Sequence, residues 1–466
     1  LAIFNPMQAM HYISTRGTTP PMAFQDTVLE GLAPDGGLFV PERIPDVRYR
    51  LPYWATLSYQ DLTFEVLRLF VDLPEADLKR LVARAYASFT HPEIAPAWQV
   101  GPVWILELFH GPTLAFKDIA LQFLGQFFEY VLEKRNARLN ILGATSGDTG
   151  SAAIYGVRGQ PRINIFIMHP RGRVSPVQEK QMTSVLDANV FNLAIDGTFD
   201  DCQNLMKSIF RDVDFKRRYA LGSINSVNWA RVVAQIVYYF SAGLYVMAQT
   251  GAPRIDFAVP TGNFGDVLAG WYAAQMGLPV GRLVLATNEN DILARFFNTG
   301  TYRVGRVVPT ISPSMDIQVA SNFERYLFYR LQCDAGALRA AMETFARTGA
   351  LSVDGRDDLF RAGVGDTAAT LETIRHFYGA YGYLLDPHTA VGVHVAGPHI
   401  RSDVPMICLA TAHPAKFGDA IARAVGRDIA RHPALDALRD APTRVDSLPN
   451  DERAVRDYVA ARAAVA

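Results

Sequence analysis

A chain of 466 residues that is 49% hydrophobic and 20% charged has enough apolar material for two or three domains with real cores, and is not a disordered polymer. Its net charge of −1 leaves no electrostatic footprint for nucleic acid or an anionic bilayer surface. Three widely spaced cysteines, Cys202, Cys333 and Cys408, argue against a disulfide framework or a zinc knuckle and suit a reducing cytoplasm.

No apolar run is read as approaching the roughly 18 residues that span a bilayer, so no membrane segment is expected. Residues 1–9 have no basic start and no cleavage pattern, so no signal peptide is expected either; they read as an extension before a natural start at Met10.

Residues 1–95 form a first unit. GLAPDGGLFVPERIP (31–45) packs glycines and prolines around a short strand at 38–40, and helices are expected over 62–70 and 76–87. From residue 96 the pattern changes. Strands are expected at 103–107, 139–142, 163–168, 190–195, 255–259, 283–286 and 406–410, with helices between them. Continuous apolar strands alternating with helices indicate an α/β fold with mostly parallel, doubly wound sheets. The catalytic core is therefore assigned to 96–290 and 386–430. The aromatic, less regular 291–385 reads as an insertion or cap, and 431–466 as C-terminal helices with Asn450 capping the last one.

The stretch HGPTLAFKDIA (110–120) places Lys117 after an apolar run and at the start of a helix read as amphipathic, with Ile119, Phe123, Phe127 and Val131 on its apolar face. An ammonium is disfavoured there by the positive end of the helix and by its apolar flanks, so its pKa is expected to fall. A lysine that loses its proton easily is a usable amine nucleophile. From these eleven residues alone, a surface lysine at a helix start is the simpler reading.

Two loops follow apolar strands and precede helices, where open α/β sheets bind ligands. GATSGDTGS (143–151) offers glycines, four hydroxyls (Thr145, Ser146, Thr149 and Ser151) and a helix N-terminus, a donor set for an anion. It has no Walker lysine. PTGNFGD (260–266) places Gly262 and Gly265 just before a helix and again suits a phosphate or carboxylate, with Asp266 expected to order the loop or meet a cation. It is not the dinucleotide fingerprint. In INSVNWARVVAQ (224–235), Asn228 and Arg231 sit three residues apart and Arg231 could fork onto a phosphate, or simply follow a capped helix start. His413 and Lys416 close the 406–410 strand. No H-E-x-x-H or His/Cys cluster points to a metal, and G-x-S-x-G is absent.

Taken in order, HGPTLAFKDIA, GATSGDTGSAA, DGTFDDCQ, NSVNWAR, PTGNFGD and TAHPAKF resemble the threonine synthase family, most of all its longer branch in bacteria and fungi. YISTRG (12–17) and 31–45 agree. The resemblance is weakest over 290–385 and the last fifty residues. It implies a pyridoxal 5'-phosphate (PLP) enzyme of the tryptophan-synthase-β-like fold, fold type II. Lys117 matches the cofactor lysine and catalytic base. Gly262, Asn263, Phe264, Gly265 and Asp266 match the cofactor-phosphate loop, and Thr411 the hydroxyl facing the pyridine nitrogen. Thr145, Ser146, Gly147, Asp148 and Thr149 match the segment that receives the amino-acid substrate. Ser226, Asn228 and Arg231 are assigned to the substrate phosphate from charge and position. The implied reaction converts O-phospho-L-homoserine and water to L-threonine and phosphate, in a cytoplasmic monomer or homodimer without nucleic-acid or membrane partners. Two alternatives remain open: a phospholyase that stops at 2-oxobutyrate or takes another phosphorylated amino alcohol, and a non-catalytic anion-binding relative.

Overall fold

The computed structural model describes residues 10–145 and 147–464, so the expected extension 1–9 and Ser146 lie outside the described residues. Two parallel-rich sheets organise the chain. The larger has, in spatial order, Phe360–Val364, Val280–Thr287, Ile255–Pro260, Met406–Ala410, Val103–Glu107 and Ala97–Val100. All its pairings are parallel except the last, where Ala97–Val100 runs antiparallel to Val103–Glu107. The smaller sheet runs Asp446–Pro449, Val190–Asp196, Ile163–Pro170, Leu139–Ala144 and Leu221–Gly222, parallel throughout. The apolar strand runs form because helices cover both faces, leaving no polar side to supply.

Three expectations change. The Lys117–Arg135 helix is not amphipathic: Gln122 and residues on every side of it are buried, because the helix lies in the core shared by both sheets and the N-terminal unit. Region 291–385 is not simply a cap, since its Phe360–Val364 is an edge strand of the larger sheet. The C-terminal stretch likewise contributes a strand, Asp446–Pro449, and its last helix is capped by Asp451, whose carboxylate accepts from Ala454 N–H, instead of by Asn450.

A fourth change concerns the Trp229–Thr250 helix. By length and composition it could cross a membrane, against the expectation of no such segment, but 72% of its apolar window is buried within the fold. It is a core helix, packed against the Lys117–Arg135 helix and the Gly265–Met276 helix.

The N-terminal unit is fastened to the region around 320. Its Tyr12–Ser14 strand pairs antiparallel with Phe39–Pro41, and Thr15 and Arg16 both donate to the Glu324 carboxylate. The fully buried Arg325 donates to the carbonyls of Phe39 (2.8 Å) and Val227 (2.6 Å). Segments far apart in sequence thereby converge near the ends of the larger sheet.

Candidate active site

Lys117 owes its position to a short strand-like pairing. Phe116 N–H donates to the Thr411 carbonyl (2.8 Å) and His413 N–H to the Leu114 carbonyl (3.0 Å), which sets Lys117 beside the C-terminal end of Met406–Ala410. Leu114 takes φ +60° to turn the chain into the helix. The helix then lies against Asp148–Val157 without side chains between them: a Cβ on Gly125 would stand 1.9 Å from the Gly156 carbonyl oxygen. That contact brings Lys117 and the 143–151 loop to one place. Burial pushes the Lys117 amine down to about 8; Asp148 opposes this, while Arg231 and Lys416 reinforce it by like-charge repulsion. Its Nζ lies 3.5 Å from Ser314 Oγ.

In the 143–151 loop the Thr145 hydroxyl is occupied by the loop itself. It accepts from the N–H groups of Gly147 (3.1 Å) and Gly150 (2.9 Å). Gly147 sits at φ +151° with the Gln178 amide where a Cβ would be. Asp148 opens the following helix and accepts from Lys416 Nζ (2.7 Å) and Gln178 Nε2 (2.8 Å). Those partners and Lys117 hold its carboxyl well below the usual range despite its burial. Thr149 is half-buried in the first helical turn.

The 260–266 loop is shaped by close approach. A Cβ on Gly262 would stand 2.6 Å from the Ser314 carbonyl oxygen. Both N–H groups of Asn322, main chain (3.0 Å) and side chain (3.1 Å), donate to the Asn263 carbonyl. Phe264 adopts φ +64° and buries its ring against Phe297, Phe323, Tyr326 and Phe360. Gly265 begins the helix, so its first-turn N–H groups have no intrahelical acceptor and can serve an anion. Among the described residues the Asp266 carboxylate meets no cation: it points into the fold, accepting from Tyr238 (2.6 Å) and Tyr239 (2.8 Å), and burial pushes it up to about 6.

Of the three residues assigned to the substrate phosphate, Arg231 is the one left wanting an acceptor. It is buried, burial lowers its guanidinium to about 10, and its Nη1 has no hydrogen-bond partner among the described residues. Ser226 Oγ meets Ser321 Oγ at 2.8 Å. Asn228 is committed elsewhere: its carbonyl caps the Trp229–Thr250 helix and its amide donates to the Val28 carbonyl. His413 is a cap as well, its Nδ1 accepting from Ala415 N–H, and burial lowers it to about 4.

Two residues that act on or touch Lys117 carry no assignment from the sequence. Lys416 stands out there only as following a strand. Ser314 has no local motif and is placed by His388, whose Nε2 accepts Ser314 N–H (3.2 Å) while Nδ1 faces Asp386 (2.9 Å). The Asp-Pro-His-Thr run at 386–389, a helix start with a carboxylate two residues before the imidazole, is the signal that could have drawn attention to this pair.

An amine with a lowered pKa asks for a carbonyl partner; a glycine-lined helix N-terminus and a buried guanidinium whose Nη1 lacks a partner among the described residues ask for phosphates. PLP is an aldehyde and a phosphate in one molecule, and these residues fit it. The protein is a PLP-dependent α/β enzyme, and the family model described as "Pyridoxal-phosphate dependent enzyme" matches residues 89–357. Within that class the chain belongs to the threonine synthase family, whose N-terminal and C-terminal models match residues 11–86 and 389–459. Threonine synthase of Pseudomonas aeruginosa is 48% identical, over 97% of this chain and 98% of its own length. That of Saccharomyces cerevisiae is 44% identical over 90% of each. The crystal structure of PLP-bound threonine synthase from Brucella melitensis superposes with a TM-score of 0.93 at 44% identity, covering 98% of this chain and all of that one.

Proposed function

We propose that this chain converts O-phospho-L-homoserine and water to L-threonine and phosphate. The observation that carries the reading is the buried Arg231 guanidinium, whose Nη1 has no hydrogen-bond partner among the described residues and whose charge disfavours an ammonium at Lys117. A cation kept without a counterion inside a fold is costly unless a ligand supplies one.

Lys117 is assigned as the cofactor lysine, with the 262–266 backbone at the cofactor phosphate and the Thr411 hydroxyl at the ring nitrogen. PLP, when bound, supplies the electron sink that makes a proton beside the amino group removable. The chain's own residues do the rest. The Lys117 amine, its pKa lowered to about 8, is the base that takes the α and β protons, returns one to Cγ and, once water has added at Cβ, returns one to Cα. Arg231 and Ser226 hold the leaving phosphate as the Cγ–O bond breaks. The N-terminus of the Asp148–Val157 helix with Thr149 receives the substrate carboxylate. Water then adds its oxygen to Cβ, so one C–O bond is lost and another formed with no change of oxidation state overall. Burial of the site holds these groups in register, which is an orientation effect. The free cysteines, Cys202 and Cys408 buried and Cys333 exposed, support a reducing compartment.

The test is phosphate release from O-phospho-L-homoserine with identification of the carbon product. Threonine supports the reading; 2-oxobutyrate would assign a phospholyase, and cofactor uptake without turnover a binding protein. Lys117→Ala is expected to abolish both the visible absorption band and phosphate release.

A further inference from the structure

We propose that Lys416 is a positioning residue for the chemistry at Lys117: by drawing the Asp148 carboxylate into a buried ion pair, it keeps that carboxylate from pinning Lys117 as an ammonium. The inference rests on Lys117 being the cofactor lysine.

The geometry is specific. The Lys416 side chain is fully buried, and its Nζ donates at 2.7 Å both to Asp148 and to the Thr113 carbonyl. Thr113 is itself fixed, its N–H and hydroxyl each donating at 2.8 Å to Asp118. Gln178 holds Asp148 from the other side. The ammonium of Lys416 is thus locked by three segments, 113–118, 148 and 178, and cannot move to accommodate a ligand without breaking them.

Charged and polar groups face Lys117 from every neighbouring element. Asp148 comes from the Asp148–Val157 helix, Arg231 from the Trp229–Thr250 helix, Lys416 from the turn Pro414–Phe417, and the Ser314 hydroxyl from Pro313–Met315. The Phe116 ring lies 5.7 Å away. Asp148 is the carboxylate in this set, and Lys416 and Lys117 both act on it. With Lys416 in place, Asp148 is paired, and the Lys416 and Arg231 charges offset its pull on the Lys117 ammonium, while burial favours the neutral amine. Without Lys416, a buried carboxylate has Lys117 as its remaining cation, and the pair would form at the expense of the free amine.

The rate at which the visible band grows after PLP is added to the full-length chain, measured across pH, reports the neutral fraction of Lys117. For Lys416→Met the midpoint should rise, slowing capture at pH 7 roughly tenfold or more. Lys416→Arg should keep the wild-type midpoint, and Lys416→Met combined with Asp148→Asn should return to it. A Lys416→Met midpoint equal to wild type, or a double variant no different from Lys416→Met, overturns the proposal. If circular dichroism shows Lys416→Met unfolded, Asp148→Asn alone decides: it should lower the midpoint, and an unmoved or raised one is a refutation. Failure of the wild type to form the band would instead refute the assignment of Lys117.

Discussion

Replacing Arg231 by Met should make the empty protein no less stable while disabling it. The guanidinium's pKa falls from 12.5 to about 10 through burial alone, which corresponds to about 3 kcal/mol of disfavoured charge. Methionine keeps most of the side-chain volume and removes that charge, so ligand-free Arg231→Met should melt at or above the wild-type temperature. Catalysis should move the other way. Truncating one partner of a buried charged pair costs about 2–5 kcal/mol, which is roughly 30- to 5000-fold in kcat/KM. Inorganic phosphate separates this from general damage. Added to PLP-loaded protein, in which the 262–266 site is taken, it should stabilise the wild type by about 2.7 kcal/mol at a hundredfold excess over its Kd, and leave the variant's melting temperature unchanged. The measurements are calorimetry with and without phosphate and the kinetics of phosphate release. A variant within about threefold of wild-type kcat/KM, or one still stabilised by phosphate, would refute the role given to Arg231.

Gly262→Ala places a Cβ 2.6 Å from the Ser314 carbonyl oxygen, so the 260–266 loop or the Ser314 turn must move. Overpacking of this kind costs about 1–3 kcal/mol, and PLP affinity followed by absorbance titration should fall by about 5- to 150-fold. Asp266→Asn tests a buried carboxyl whose folded pKa of about 6 exceeds its ordinary 3.8. The folded state binds that proton more tightly, so the group lowers stability as pH rises from about 4 to about 6 and by a constant amount above. The variant should melt higher than wild type at pH 7, by at most about 3 kcal/mol, with the gain vanishing by about pH 4. A gain that persists at pH 4 would assign the effect to packing instead.

The core strands were legible because burial on both faces makes them uninterrupted apolar runs: 103–107 and 406–410 match the observed Val103–Glu107 and Met406–Ala410. The four strands of these sheets that were missed, Ala97–Val100, Leu221–Gly222, Phe360–Val364 and Asp446–Pro449, are their edge strands, with no such run. Phe360–Val364 carries Arg361 and Gly363, and Asp446–Pro449 is polar and ends in proline, which an edge tolerates. Lys117, the two anion loops and Arg231 could be read because strand–loop–helix junctions are local features. Ser314 and Lys416 could not, since each matters through what it touches: Ser314 through His388, 74 residues away, and Lys416 through Asp148, 268 residues away. The helical spacing around Lys117 misled for a related reason. Its glutamine side looks like a solvated face, but Gln122 donates to the buried Asp118, so a polar stripe became an internal network.

The charge balance of the site explains why these distant residues belong together. Among the described residues, Lys117 is influenced by two cations, Arg231 and Lys416, and one carboxylate, Asp148, which is already paired. That excess of positive charge is unfavourable, and each bound phosphate removes repulsion that the protein would otherwise bear. Under the proposed reaction the cofactor phosphate is taken by backbone dipoles at Gly262–Asp266, which carry no net charge, so it leaves the side-chain cations unspent. Arg231 then remains for the substrate phosphate, while Lys416 stays occupied by Asp148. One cation binds, one positions and one reacts, and each does so because the fold has given the other two different partners.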